Sequence, residues 1–157
     1  MDAHDHGPAG ETPADPVLAV KVLTVSDGVV HGVREDHSGA ALVALCDAQG
    51  WHVADTAVTA DGIDEVAGAL QRLADGFHGL IVTTGGTGFG PRDLTPEGTL
   101  AVLGRQAPGL AEAMRLVNPL GRLSRGVAGT LGTALVVNTP GSARGCVECL
   151  EAVADVV

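Results

Sequence analysis

Aromatic residues are almost missing from this chain of 157 residues: Trp51, Phe77 and Phe89 are the whole set, and there is no Tyr. Bases cannot stack on successive aromatic platforms here, which disfavours a single-strand nucleic-acid surface. A basic footprint is missing as well. The formal net charge is −10, and it is unevenly placed. Residues 1–75 hold 13 acids against 3 bases, whereas residues 76–157 hold 6 of each. Neither half presents the basic stripe that nucleic acid or an anionic membrane requires. An anionic ligand would have to bind in the second half, through arginines, backbone N–H groups or a metal ion. No apolar run reaches membrane-spanning length. The acidic stretch 1–16, rich in Pro, Ala and Gly, has neither a basic n-region nor an apolar h-region, so it reads as a disordered tail and not a signal peptide. Three cysteines, Cys46, Cys146 and Cys149, are an odd number in a chain without a signal, which reads as reduced and cytoplasmic.

What the chain does contain is aliphatic. Hydrophobic residues make up 45% of it, enough for a full core in residues 17–157, read as one domain. Strand-length apolar runs are predicted at 18–25, 79–84 and 133–138 and an alternating strand at 51–58, with amphipathic helices between them. In the clearest helix Ile63, Val66, Ala67, Leu70, Leu73 and Ala74 make one stripe, with Asp61 at the expected N-cap. Ser38 is expected to cap the helix before the second strand, and Thr95 the one that begins Thr95-Pro96-Glu97. Residues 123–133 read as a hairpin or irregular connection. The last helix, from Ala143, is expected to be still running at Val157, so the C-terminal end reads as truncated. Alternating strands and helices predict a three-layer α/β domain, Rossmann-like, with a mostly parallel sheet and helices on both faces.

Three predicted strand ends are alike in being small, polar and glycine-rich. They are Ser26-Asp27-Gly28, Gly85-Gly86-Thr87-Gly88 and Asn138-Thr139-Pro140-Gly141-Ser142. Ligands of open α/β sheets bind at the carboxyl ends of strands, and consecutive N–H groups in glycine-rich turns cradle anions. A phosphate-bearing ligand is the expectation. Familiar phosphate and nucleophile motifs are missing: there is no G-x-x-x-x-G-K-[ST], and Pro91 stands where the third Gly of a dinucleotide fingerprint belongs. No G-x-S-x-G occurs. Cys146 and Cys149 lie at helical spacing, without the two further ligands a zinc site needs.

Residues 85–97, GGTGFGPRDLTPE, resemble the signature G-G-T-G-x-x-x-R-D-x-T-P-E of the molybdenum-cofactor biosynthesis family of MogA and MoaB, which includes domains of gephyrin. Four further motifs follow the family's order along the chain. Ser26-Asp27 with Gly32, Asp36, Ser38 and Gly39 is similar to S-D-x-x-x-x-G-x-x-x-D-x-S-G, and Pro108-Gly109 with Glu112 and Arg115 to P-G-x-x-E-x-x-R. Leu123-Ser124-Arg125 is similar to L-S-R, and residues 138–142 to N-L-P-G-S. Gly98, Thr139 and Ala143 depart from the pattern, where the family often has Ala, Leu and Pro.

The resemblance, closer to the MogA type, implies a homotrimer that binds molybdopterin and transfers AMP from ATP to its phosphate with Mg²⁺, releasing diphosphate. A molybdate-inserting protein is an implied partner. The alternative is a MoaB-like carrier or scaffold that binds molybdopterin without adenylyl transfer. Asp93 and Asp61 match the family's functional carboxylates and are the implied catalytic pair and Mg²⁺ ligands; Asp93 also reads as an acid before a helix, and Asp61 as a cap. The implied binding set is Ser26, Asp27, Gly85, Gly86, Thr87, Gly88, Arg92, Thr95, Glu97, Ser124, Arg125, Asn138, Pro140, Gly141 and Ser142. Within it Asp27 and Ser142 read equally as caps, and Arg92 and Arg125 as partners of carboxylates.

Overall fold

The structure, a computed structural model, describes residues 15–157. Most of the tail expected over 1–16 lies outside the described residues. In chain order the elements are β1 (Ala19–Val25), α1 (Asp27–Val30), α2 (His37–Ala48), β2 (His52–Thr59), α3 (Ile63–Ala74), β3 (Gly79–Thr84), α4 (Thr95–Leu100), β4 (Arg105–Gln106), α5 (Pro108–Leu116), a 3-10 helix (Pro119–Leu123), β5 (Ala128–Leu131), β6 (Ala134–Thr139) and α6 (Ala143–Val153).

One six-stranded sheet runs in the order β2-β1-β3-β6-β5-β4. The first four strands in that order are parallel, and β5 and β4 are antiparallel additions. Buried on both faces, the central strands need continuous apolar sequence. β3 supplies it: Leu80, Ile81 and Val82 are each at most 1% exposed. On one face Val20, Val22, Leu80, Val82 and Val137 pack against Leu42 and Cys46 of α2, Met114 of α5 and Leu150 of α6. On the other, Leu23, Val25, Ile81 and Val136 pack against Val66, Ala69, Leu70 and Leu73 of α3. The expected three-layer architecture is the one observed.

Local details differ. Residues 123–133 hold the end of the 3-10 helix, then β5 and a tight turn at Gly132, whose φ is 59°. The two-residue β4 is too short for a periodicity to show. The stripe of α3 is rotated, burying Ala69 in place of Ala67 and leaving Ile63 41% exposed. α4 packs on α3; a Cβ at Gly98 would lie 2.8 Å from both the Ile63 carbonyl oxygen and the Val66 Cβ. Gly98 therefore permits a close helix crossing at the known cost of Gly in a helix. α6 ends at Val153, and a turn follows it to Val156, so the last helix is not still running at Val157.

Three expected caps are corrected. Asp36, not Ser38, caps α2: its Oδ1 accepts from Gly39 N at 2.9 Å while Thr24 Oγ1 donates to its Oδ2 at 2.8 Å. Gly62, with φ 135°, takes the cap position of α3 without a side-chain bond, which frees Asp61 from that role. Thr95 is the first residue of α4 and follows the cap residue Leu94.

Candidate functional site

The parallel strands all end on the same side, and their loops enclose an open cleft of about 1030 Å³. Four connections meet there: β1 to α1, β2 to α3, β3 to α4 and β6 to α6. Each is fastened to its neighbour. Ser26 N donates to the Thr59 carbonyl at 3.0 Å, Gly85 N to the Thr139 carbonyl at 3.1 Å, and Thr84 Oγ1 to the Pro140 carbonyl at 2.8 Å.

The floor is the Gly85–Gly88 loop. Gly85 has φ 101°, and a Cβ on it would stand 2.3 Å from the Val25 carbonyl oxygen, so only glycine fits between β1 and β6. With Gly85 N held by β6, the N–H groups of Gly86, Thr87 and Gly88 have no acceptor among the described residues. The same holds for Gly141 and Ser142 across the cleft. Backbone donors without partners in a concave, glycine-rich turn are an anion cradle.

Carboxylates stand beside the cradle. Asp61 and Asp27 exchange bonds: Asp27 N donates to Asp61 Oδ2 at 2.9 Å and Asp61 N to Asp27 Oδ1 at 3.1 Å. Arg92 grips Asp27 with Nε at 2.5 Å and Nη2 at 3.1 Å, and its Nη2 also donates to the Asp61 carbonyl at 2.9 Å. Arg92 holds the Asp27 carboxyl below its ordinary value. Burial, with the charges of Asp27 and Asp93 nearby, pushes the Asp61 carboxyl above its own. Asp93 lines the same cleft, and its Oδ2 accepts from Gly90 N at 2.9 Å.

No group of three or more His, Cys, Asp or Glu side chains that could hold a metal occurs among the described residues. Mg²⁺, however, is commonly held by one or two carboxylates, with water and substrate phosphates completing its octahedron. Asp61 and Asp93 fit that mode. They repel one another, and a cation between them relieves the repulsion.

The remaining sequence-derived residues fall into two groups. Ser124, Asn138, Pro140, Gly141 and Ser142 line the cleft with Ser26 and the glycine loop; Asp27, Arg92, Thr95, Glu97 and Arg125 are not part of the lining. Several hydroxyls and amides are already engaged. Ser26 Oγ caps α1 by accepting from Val29 N at 3.2 Å, and Ser142 Oγ caps α6 by accepting from Gly145 N at 2.9 Å. Asn138, 2% exposed, donates to the Thr83 and Thr99 hydroxyls at 2.9 and 3.1 Å and accepts from Val127 N at 3.1 Å. Thr139, the departure from Leu, donates to the Thr83 carbonyl at 2.7 Å. The buried Thr95 Oγ1 has no partner among the described residues. Arg125 pairs with Glu97 and donates to the Gly88 and Asp93 carbonyls at 2.8 and 2.6 Å.

Arg34, His37, Arg115 and Arg144 also line the cleft and are not in the expected set. The available signal was their position: Arg34 and His37 fall inside the span of the first motif, and Arg115 closes the third. The three cysteines are unpaired and buried, and burial pushes each thiol up to about 11. At neutral pH they are inert packing groups.

Comparison with known proteins agrees with this geometry. Residues 21–157 match the family described as "Probable molybdopterin binding domain". A molybdopterin adenylyltransferase of Helicobacter pylori strain J99 is 38% identical over 146 residues, 87% of this chain and 81% of that protein. Crystal structures of a molybdopterin biosynthesis enzyme MoaB from Thermus thermophilus and of a molybdopterin biosynthesis Mog protein from Mycobacterium ulcerans superpose with TM-scores of 0.85 and 0.82. Their identities are 43% and 38%. The match covers 90% and 89% of this chain, and 92% and 94% of theirs.

Proposed function

Because the chain belongs to the molybdopterin-binding domain family, whose pattern spans residues 21–157, we propose that it is a molybdopterin adenylyltransferase of molybdenum-cofactor biosynthesis. The phosphate oxygen of molybdopterin attacks the α-phosphorus of ATP, the new P–O–P bond forms, and the bond to diphosphate breaks. The observation that carries this reading is the unpartnered N–H set of Gly86, Thr87 and Gly88 beside the Asp61 and Asp93 carboxylates.

Joining two phosphates brings anions together, so the protein's task is positioning and neutralisation. The Gly86–Gly88 N–H groups hold phosphate oxygens, and those of Gly141 and Ser142 hold the second substrate on the opposite bank. Asp61 and Asp93 would hold Mg²⁺, which supplies charge neutralisation at the reacting phosphates. Asp27 orients Asp61 through the paired backbone bonds.

The reading extends to a cytoplasmic protein; no helix among the described residues is long and apolar enough to cross a membrane. It extends also to a homotrimer, in which the exposed Leu116 beside the cleft-lining Val117, Leu120 and Leu123 would be covered by a neighbouring subunit, and to transfer of the product to a molybdate-inserting protein. Light scattering of the purified chain tests the trimer.

The family description, which names molybdopterin binding alone, gives weight to a second reading, a MoaB-like molybdopterin-binding carrier or scaffold without transfer. Mixing protein, molybdopterin, ATP and Mg²⁺ and measuring diphosphate separates the two, with Asp93→Asn alongside. Release by the wild type and its loss in the variant are expected. Retention of pterin without diphosphate release would establish the carrier.

A further inference from the structure

The sequence leaves Arg125 open as a partner of phosphate or of a carboxylate, and its surroundings decide between these. Its backbone N–H donates to the Thr87 carbonyl at 2.9 Å, its Nε to the Gly88 carbonyl at 2.8 Å and its Nη2 to the Asp93 carbonyl at 2.6 Å. Nη1 meets the Glu97 carboxylate, and Nη2 approaches it at 3.5 Å. The side chain is 30% exposed, and the guanidinium carbon stands 5.7 Å from the Phe89 ring centroid. Of the five guanidinium N–H groups, four face these acceptors, which leaves no fork for a phosphate.

We infer that Arg125 is a positioning residue, which fixes Asp93 and the glycine loop through their main chain and does not bind phosphate. Gly88 and Asp93 bound the tight segment that carries the Asp93 carboxylate, and one planar group holds the carbonyl at each end. Glu97, in the first turn of α4, keeps that group from rotating; its carboxyl is held below the ordinary value by the Arg125 contact. The consequence is directional. The Thr87 carbonyl shares a peptide plane with the Gly88 N–H, so holding that carbonyl toward Arg125 turns the Gly88 N–H the other way, where it has no acceptor among the described residues. Distant parts of the chain are joined in this way, because Arg125 precedes β5 while its targets lie between β3 and α4 or within α4.

Arg125→Met and Arg125→Lys test the inference in two ways. Amide exchange of Gly90, Asp93 and Thr95 reads the loop directly, since their N–H groups are bonded to Asp93 Oδ2, the Gly90 carbonyl and the Gly86 carbonyl. At least tenfold faster exchange at these three amides in both variants, with β1 and β3 unchanged, is expected. The kinetic arm rests on the adenylyltransferase reading. It should show kcat reduced tenfold or more in both variants, with KM for ATP within twofold of the wild type. Lys fails to rescue because a single ammonium cannot reach two carbonyls and a carboxylate in fixed directions. A tenfold rise in KM restored by Lys, with loop exchange unaltered, overturns the inference in favour of phosphate binding. Should the wild type show no turnover, the exchange result alone decides, and unchanged loop exchange overturns the inference. If Arg125→Met does not fold, Glu97→Gln is the substitute: exchange at the same three amides should accelerate, and its constancy counts against the inference.

Discussion

Of three arginine–carboxylate pairs at the cleft, Arg144–Glu148 lines it, and the two outside its lining are built differently. On one bank Arg92 grips Asp27 with a side chain 63% exposed, and its only other bond among the described residues is to the Asp61 carbonyl. On the other, Arg125 is 30% exposed and holds the Gly88 and Asp93 carbonyls as well as Glu97. The first pair can be opened with little effect on the fold. The second cannot be opened without moving the glycine loop. An arginine in a phosphate-handling motif is therefore not by itself a phosphate ligand. How many of its N–H groups already meet backbone carbonyls decides the matter.

The largest expected effects concern the carboxylate that each bank supports. Asp93→Asn and Asp61→Asn should each lower the rate of diphosphate release by about a hundredfold or more, the scale of losing a preorganised charged group at a reacting centre. Their stabilities should diverge. The Asp61 carboxyl is raised above its ordinary value of 3.8 by burial and by its acidic neighbours. A group shifted in that direction favours the folded state while protonated, and that contribution is lost as pH rises through the folded value. Ionised Asp61 is thus a burden at neutral pH. Asp61→Asn should raise Tm at pH 7, and the gain should vanish below about pH 3.8. A fall in Tm at pH 7 would show that the bond from Asp27 N outweighs the charge.

Asn138 tests the support under the locked bank. Its side chain holds Val127 N, two residues beyond Arg125, and satisfies two buried threonine hydroxyls. Asn138→Ala leaves Val127 N and the Thr83 hydroxyl unpaired, while Thr99 keeps its bond to the Thr95 carbonyl, and should cost about 3 kcal/mol, a fall in Tm of roughly 6–12 °C for a chain of this size. Thermal unfolding measures it. A loss under about 1 kcal/mol would mean that water replaces the amide, and that this bank is less rigid than its hydrogen bonds imply.

Much of this was legible in the sequence, for identifiable reasons. Three of the four parallel strands, β1, β3 and β6, declared themselves as apolar runs ending in glycine or small polar residues, and the edge strand β2 by its alternation. The glycine loop was legible because only glycine tolerates its backbone. The caps were less so. Asp61, Ser38 and Thr95 each stood one or two residues from the true cap, and local sequence cannot show that the Asp61 carboxylate bonds across the sheet to Asp27 N. The roles of Arg92 and Arg125 were illegible for the same reason: both are defined by partners more than 25 residues away. β4 was missed because two residues carry no period.

Glu97→Gln should have a smaller effect, present at neutral pH and lost in acid. Arg125 holds the Glu97 carboxyl below its ordinary value of 4.5. Its contribution is then complete above that value and is lost as pH falls through the folded value. The wild type should exceed Glu97→Gln in Tm at neutral pH, by an amount corresponding to about 1 kcal/mol or less for a pair this exposed. The two Tm curves should converge as pH falls from 4.5 through the lowered folded value. Parallel curves throughout would place the stabilising bonds of Arg125 with the carbonyls alone.

The smallest structural effect is expected at Arg92, and it is the sharpest test of the contrast. Arg92→Met should leave Tm unchanged, because the side chain is mostly in solvent and bridges two loops already joined by the Asp27 and Asp61 backbone bonds. KM for ATP should rise severalfold while kcat changes less, as follows when a charge assists binding without fixing the reacting groups. Raising salt should increase KM of the wild type, since an exposed charge is screened within about 10 Å at 0.1 M, and should affect the variant less. Arg92→Lys should recover much of the lost affinity, where Arg125→Lys recovers none. If Arg92→Met instead loses kcat at constant KM, then both arginines are positioning residues, and exposure is a poor guide to which of them can let go.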